Sequence, residues 1–170
     1  PRGVEVQAAM AAFERRAPVQ GAANGETTLD AEGANPLALA QQLHTRTRFA
    51  MKPATLLRFD LTRAMQSLGS ETQGKTVIEE VTGQLDTQNT PDGMVVRFTD
   101  VKARAAGFTV TGQARLADRR VQAKAAIDLV DGVVGVPMTI EGPLNAPKVT
   151  VSKAPLVGAA VGTAVLPGIG

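Results

Sequence analysis

The sequence of 170 residues contains no cysteine, no tryptophan and no tyrosine, and it has only one histidine and five phenylalanines. The absence of cysteine excludes disulfides, thiolate catalysis and cysteine-ligated zinc. The scarcity of aromatic rings argues against single-stranded nucleic acid, whose bases stack on such rings. A formal net charge of +2 gives no electrostatic footprint for nucleic acid. We therefore expect no nucleic-acid partner.

Side chains suited to catalysis are few and scattered. His44 is placed at the end of a helix, where a C-terminal cap is favoured over a general base. Glu79 and Glu80 are adjacent, so on a strand they would point to opposite faces and form no catalytic pair. We expect no enzymatic activity, no catalytic residue, no metal site and no cofactor.

The first two-fifths of the chain mix short helices with strands. A stripe of apolar residues predicts a helix over 4–16, and alternation predicts a strand over 19–32. Asn35 followed by Pro36 indicates the start of a short helix, and Asp60 caps a second one that Gly69 closes. Between the two helices a strand carries Pro53, which marks an edge or a bend.

From Val77 onward the hydrophobic period is two, and turn signals recur along the chain, which indicates an antiparallel meander. A four-residue loop at 117–120 places Ala114 opposite Ala123. A two-residue turn at 131–132 then places Ala123 opposite Ile140, and a loop at 143–146 places Ile140 opposite Val149. All these residues fall on one apolar face. Since a slip of one residue would turn a strand over, the agreement supports the register.

The segment from Gly69 to Thr76 matches G-x-x-x-x-G-K-T, the pattern of a nucleotide-binding P-loop. That motif requires a buried parallel strand before it and a helix after it. Here an amphipathic helix precedes the segment and a strand follows, with hairpins beyond. We interpret the match as a coincidence, with a flexible loop at this position, and expect no nucleotide to bind.

Two further segments leave alternatives open. A basic group has two interpretations, contact with phospholipid headgroups and a solvated strand face, of which the second is favoured. The group comprises Arg46, Arg48, Lys52 and Arg58. The uncharged, Gly- and Pro-rich tail at 154–170 is too short to span a membrane. A mobile or locally packed end is favoured over a membrane-touching helix. The chain begins at Pro1 without methionine, so we expect a piece of a longer protein, with any anchor outside it.

The order of these features resembles the C-terminal region of the AsmA-like family over about residues 4–153. The stretch "FDLTRAM" at 59–65 is similar to a helix start of that family, and "VTGQARLADRRV" at 110–121 is similar to part of its meander. "VPMTIEGPLNAPKVTV" at 136–151 resembles the closing motif. Ala114 and Ala117 depart from the pattern, which commonly has glycine and aspartate there.

The resemblance implies an envelope protein of Gram-negative bacteria, anchored in the inner membrane with a periplasmic part. Relatives form curled sheets with an apolar trough, are related to bridge-like lipid-transfer proteins, and are proposed to carry phospholipid toward the outer membrane. The implied partners are phospholipid or a membrane surface, and other envelope proteins. The alternative is a structural or scaffolding domain for outer-membrane assembly without lipid cargo.

Together these considerations predict an α+β fold: an antiparallel β-meander forming a curled sheet with one apolar face partly covered by two or three short helices. The domain spans 1–153, with a helix and strand part over 1–75 and the meander over 76–153. A helix-packed core and an open trough filled by acyl chains both remain possible for that face. Because large aligned residues lie near the end of the meander, where we expect no helices, the candidate lipid-contact residues are Val110, Ile127, Met138, Ile140 and Val149.

Overall fold

The computed structural model describes residues 4–5, 19–129 and 135–152. Their backbone forms a ten-stranded sheet and two helices of six residues each. The helices are α1 (Pro36–Gln41) and α2 (Leu61–Gln66). The strands are β1 (Val4–Glu5), β2 (Val19–Asp30), β3 (His44–Leu56), β4 (Thr76–Ile78), β5 (Glu80–Thr90), β6 (Gly93–Ala105), β7 (Phe108–Ala117), β8 (Arg120–Leu129), β9 (Val136–Pro143) and β10 (Lys148–Val151).

The sheet is antiparallel throughout its described pairs, and its order is β1-β2-β3-β5-β6-β7-β8-β9-β10, with β4 also pairing with β3. The sheet is open, with β1 and β2 at one edge and β10 at the other. The expected α+β class and the meander of β5 to β10 are confirmed. Hairpins dominate because short turns separate strands of alternating character.

Both predicted helix caps are confirmed. The Asn35 side chain accepts a hydrogen bond from the backbone N–H of Ala38, with Pro36 in the first turn. The Asp60 side chain accepts from the N–H of Arg63. Helix α2 ends where Leu68 and Gly69 take positive φ angles of 55° and 91°, a left-handed conformation that stops the helix.

The N-terminal helix predicted over 4–16 is wrong at its start, and residues 6–16 lie outside the described part of the chain. Val4 and Glu5 pair with Ala23 and Ala22 on the outer edge of β2. An unpaired strand edge offers backbone hydrogen bonds to a neighbouring extended segment, and this pairing replaces the helical start that the apolar stripe indicated.

The predicted register is confirmed: Ala114 pairs with Ala123, Ala123 with Ile140, and Ile140 with Val149. The loop predicted over 117–120 is shorter than expected, because Ala117 and Arg120 also pair. Positive φ angles of 49° and 59° at residues 118 and 119 suit a two-residue turn. The turn predicted at 131–132 lies outside the described residues.

Pro53 lies within β3, which is an interior strand of the sheet. Of the two environments predicted for this proline, an edge strand is therefore excluded and a bend in the strand is left. The pairing of β2 with β3 shifts beside it, between Gly21 and Ala23. Proline lacks the N–H that a regular ladder requires at an interior strand, and a bulge accommodates this loss.

Two clusters of buried apolar residues form the core. One joins Leu61 of α2 to the sheet residues Ala105, Phe108, Ile127, Met138 and Val151. The other lies around β3 and contains Met51, Ala54 and Ile78. We refer to the end of the sheet near residues 105–108, where the first cluster lies, as the α2 end. The opposite end carries the turns at residues 90–93 and 117–120.

Candidate functional site

The five candidate lipid-contact residues all lie at or near the α2 end, but their exposure differs. Ile127 is 0% exposed and Met138 is 6% exposed, and both belong to the core cluster beneath Leu61. Val110, Ile140 and Val149 are partly buried and pack against that cluster. Three of the five residues therefore retain accessible surface, whereas Ile127 and Met138 are part of the buried core.

The expectation that helices are absent from this end is wrong. Leu61 and Ala64 of α2 are buried, and Leu61 packs in the cluster that contains Val151 of β10. The backbone of Gly69 approaches β10 so closely that a Cβ atom there would lie 2.4 Å from the carbonyl oxygen of Val149. Helix α2 packs against strands of the meander that follows it in the chain. Local sequence patterns do not encode such a contact between distant elements.

The segment that matches a P-loop runs from α2 into β4, as expected from its sequence context and opposite to the strand–loop–helix order of that motif. The hydroxyl of Thr76, which would bind magnesium in a P-loop, accepts a hydrogen bond from the N–H of Leu61 at 2.9 Å. It also donates to the carbonyl oxygen of Phe59 at 2.7 Å. Lys75 is exposed. The absence of nucleotide binding stays a prediction.

Toward the opposite end, two rows of directly paired residues cross the same face of the sheet. The first row runs from β2 to β10 through Thr27, Thr47, Leu85, Phe98, Ala114, Ala123, Ile140 and Val149. The second runs from β2 to β9 through Leu29, Thr45, Thr87, Val96, Leu116, Val121 and Gly142. Paired residues share a face, so both rows continue the face that α2 meets at its other end.

The larger residues in the middle of these rows form what we call the distal apolar patch: Leu85, Val96, Phe98, Leu116 and Val121. Each is half-buried, and none belongs to either core cluster. Among the helices, α1 approaches β5 but buries none of its own residues, and α2 packs at the α2 end. The patch therefore adds half-buried apolar surface to this face beyond the two clusters.

An aromatic contact joins Phe98 of the patch to Phe49 of β3. The rings of Phe49 and Phe98 meet edge to face with centroids 6.3 Å apart. Phe49 lies over Gly83, where an added Cβ atom would be 3.0 Å from its Cζ atom. Glycine at this position therefore lets the Phe49 ring approach the sheet and contact Phe98.

Sequence reasoning missed the distal patch, although a signal for it was present. The turn at 89–93 contains Pro91 and Asp92, and the observed pairing of Thr90 with Gly93 fixes Leu85 opposite Phe98. The prediction used the three later turns, which place Leu116 opposite Val121 but leave β5 and β6 without a register.

The other face of the sheet carries ion pairs. His44 begins β3, so its predicted place at a helix end is wrong; its Nε2 atom lies 3.4 Å from Oδ1 of Asp86. The Nε atom of Arg46 donates to the same oxygen at 3.1 Å. Of the basic group considered for headgroup binding, Arg46 and Lys52 are thus paired with carboxylates on this face, and Arg48 and Arg58 are exposed.

A second group of ion pairs surrounds the break between β4 and β5. The Nζ atom of Lys52 lies 2.6 Å from Glu80, and Arg104 contacts both Glu79 and Glu80. The expectation that these two glutamates point apart is wrong, because Glu79 lies between the two strands rather than within one. The hydrogen bond from Lys52 lowers the pKa of Glu80 below its ordinary value, against an opposing effect of burial, and the positive charges of Lys52 and Arg104 lower it further.

No protein-family model matches the chain, and neither a curated protein nor a solved structure matches it significantly. Within the described residues, no helix has the length and apolar character needed to cross a membrane. The same residues contain no group of three or more histidine, aspartate or glutamate side chains that could hold a metal ion.

Proposed function

We propose that this chain is a lipid-handling module in which the distal apolar patch contacts the acyl chain of a phospholipid. The observation that carries the proposal is the continuity of one face. The same face is closed by α2 at one end and presents half-buried apolar side chains at the other. An apolar ligand that lies along the rows would extend the existing core without meeting a charged side chain in them.

The size of the patch suits weak, reversible contact. Complete burial of a large apolar side chain stabilises by about 1.5–3 kcal/mol, and the five residues are already half-buried. Each contact with an acyl chain would therefore contribute about 1 kcal/mol or less. Such a surface would let a lipid move along the sheet instead of holding it permanently, as a transfer module requires.

The resemblance to the AsmA-like family supports the cellular setting of the proposal. In it, the module works in the periplasm of a Gram-negative bacterium, is anchored to the inner membrane by a segment outside this chain, and passes phospholipid toward the outer membrane. It carries out no reaction, and it needs no nucleotide, nucleic acid, metal or cofactor. Other envelope proteins are additional partners.

The second candidate function is a scaffold for outer-membrane assembly without lipid cargo. The burial of Ile127 and Met138 beneath α2 favours it, since two of the predicted lipid contacts are then ordinary core residues. The two functions differ in whether the half-buried residues contact lipid.

The test is photo-crosslinking in cells from two adjacent residues of β8 in the full-length protein. A photoreactive residue at Val121 lies on the patch face, and one at Gln122 lies on the opposite, charged face and serves as the matched control. Circular dichroism checks that both proteins stay folded. We expect phospholipid adducts from position 121 and few from position 122. Equal labelling from both positions, or adducts only to protein at 121, would favour the scaffold.

A further inference from the structure

Within the described part of the chain, the outer edge of β2 is paired only at its contact with β1. Among the described residues, β1 pairs only with Ala22 and Ala23, and no strand pairs with the outer side of residues 25–30. Edge strands are commonly protected by proline, by charged side chains, lysine above all, or by a bulge, and Glu26 and Asp30 are the charged side chains of this edge. Residues 25–30 contain neither proline nor lysine, and the described bulge of β2 lies before them, between Gly21 and Ala23. The pairing of β1 shows that this edge accepts an added antiparallel strand.

The opposite edge of the sheet is β10, which no described strand covers on its outer side. Seven successive antiparallel pairings separate β2 from β10, so the two edge strands run in opposite directions. If a second copy is placed beside the first in the same orientation, β10 of one therefore meets β2 of the other as an antiparallel pair. The apolar faces of both copies then lie on the same side.

The two edges also lie at the same level of the sheet. A continuous row of paired residues on the charged face joins Thr28 to Lys148 through Arg46, Asp86, Arg97, Arg115, Gln122 and Glu141. The neighbouring row joins Thr27 to Val149. The four residues of β10 therefore face residues 25–28 of a second copy's β2, which no described strand pairs on that side, and avoid the two residues that β1 covers.

Charge favours this pairing over the pairing of two β2 strands. Strand β2 contains Glu26 and Asp30 and no basic residue, and both carboxylates lie on the same face as Thr28. With Lys148 opposite Thr28, its ammonium group is a diagonal neighbour of both carboxylates. Two β2 strands would instead bring like charges together.

We propose that copies of this chain associate head to tail, with β10 of one pairing antiparallel to residues 25–28 of β2 in the next and Lys148 opposite Thr28. The junction uses four residues of β10, so it is weak and depends on protein concentration. Because the contact is heterologous, it continues the sheet and its apolar face from copy to copy. The proposal does not depend on lipid binding.

The absence of cysteine permits a clean cross-linking test. Directly paired residues bring Cα atoms to about 4.5–5.5 Å, which a disulfide can bridge. Thr28→Cys and Lys148→Cys are made in separate copies, one of which carries a tag that changes its mass. Thr109→Cys, on the charged face at the α2 end, replaces Lys148→Cys in the control mixture. All three positions are exposed, and circular dichroism verifies each fold.

Under mild oxidation, we expect the mixture of Thr28→Cys and Lys148→Cys to give the mixed dimer as its main product, at least several-fold above the control mixture. Lys148→Glu without an added cysteine is a second probe of charge, and it should weaken the concentration-dependent self-association that sedimentation velocity measures for the parent chain. Two results would overturn the proposal. One is a predominance of Thr28→Cys homodimers, which indicates β2–β2 pairing, and the other is a mixed-dimer yield no greater than the control.

Discussion

Thr76 joins the start of α2 to the sheet through a single hydroxyl group. Among the described residues, Thr76 is the one polar residue that is buried, and it is 7% exposed. Its hydroxyl accepts from Leu61 and donates to Phe59, so it satisfies two backbone groups that would otherwise be buried without partners. This explains why a polar residue is suited to a position inside the core.

Thr76→Val should therefore lower the free energy of unfolding by about 1–3 kcal/mol, because it keeps the shape of the side chain and leaves both backbone groups unpaired. The neighbouring Lys75→Ala is the control; this exposed change should alter stability by less than about 0.5 kcal/mol. Urea denaturation measures both. Binding of a fluorescent ATP analogue by the parent protein, lost in Lys75→Ala, would show that the P-loop interpretation is wrong.

Gly112 allows β7 and β8 to pair closely in the middle of the meander. A Cβ atom there would lie 2.7 Å from the carbonyl oxygen of Lys124, a backbone atom that cannot move without disturbing the ladder. Gly112→Ala should destabilise by about 1–3 kcal/mol through overpacking. Gly107→Ala, whose Cβ atom would meet open space, should be neutral or slightly stabilising. Equal melting temperatures for the two variants would contradict this account.

At the scale of elements, the two helices have similar caps and unequal burial. Asp60 caps α2, which buries Leu61 and Ala64, whereas Asn35 caps α1, which buries no residue. Asp60→Ala should therefore cost about 1 kcal/mol of global stability, a usual value for a lost cap. Asn35→Ala should mainly increase local fraying. Hydrogen exchange distinguishes the two outcomes, and comparable global destabilisation by both variants would mean that α1 is also part of the cooperative unit.

The ion pair between Lys52 and Glu80 joins β3 to β5 and predicts a dependence on pH. Because the pKa of Glu80 is lowered in the folded protein, its contribution is present above the ordinary value of 4.5 and is lost as the pH falls through the lower, folded pKa. The stability difference between the parent protein and Glu80→Gln should be largest near neutral pH and decrease in acid. Thermal melts at several pH values measure it, and a constant difference would exclude this linkage.

The pairing of β7 through β10 could be predicted because it depends on local information. Alternation defines the faces of a strand, and turn chemistry defines the register of the next one, so Ala123 was placed opposite Ile140 from sequence. The position of α2 depends on contacts between Leu61 and residues some 45–90 positions later, such as Phe108 and Val151, which no local period encodes. The candidate lipid-contact residues were predicted on the face that also carries the distal apolar patch, but toward the end that α2 closes, and the patch was missed.

At the scale of the whole molecule, the order of strands along the chain nearly equals their order across the sheet from β2 to β10, with α2 and β4 as the excursion. This order also determines how the protein should respond to force. Tension between residue 20, near one edge, and residue 152, near the other, acts across the strands. It therefore loads the hydrogen bonds of the edge pairs one after another, as in opening a zipper.

Handles at His44 and Glu80 give the mechanical control, since these residues begin the paired strands β3 and β5 at opposite ends of the sheet and a long connection links the two strands. Tension between them acts along the strands and loads all the bonds of one pair together. In single-molecule pulling we expect stepwise extension at low force for handles at Gln20 and Ser152, and a higher force for the strand-parallel pair. Sheet order would thus make the domain compliant across its width and stiff along its strands, and equal forces in the two geometries would contradict this directional response.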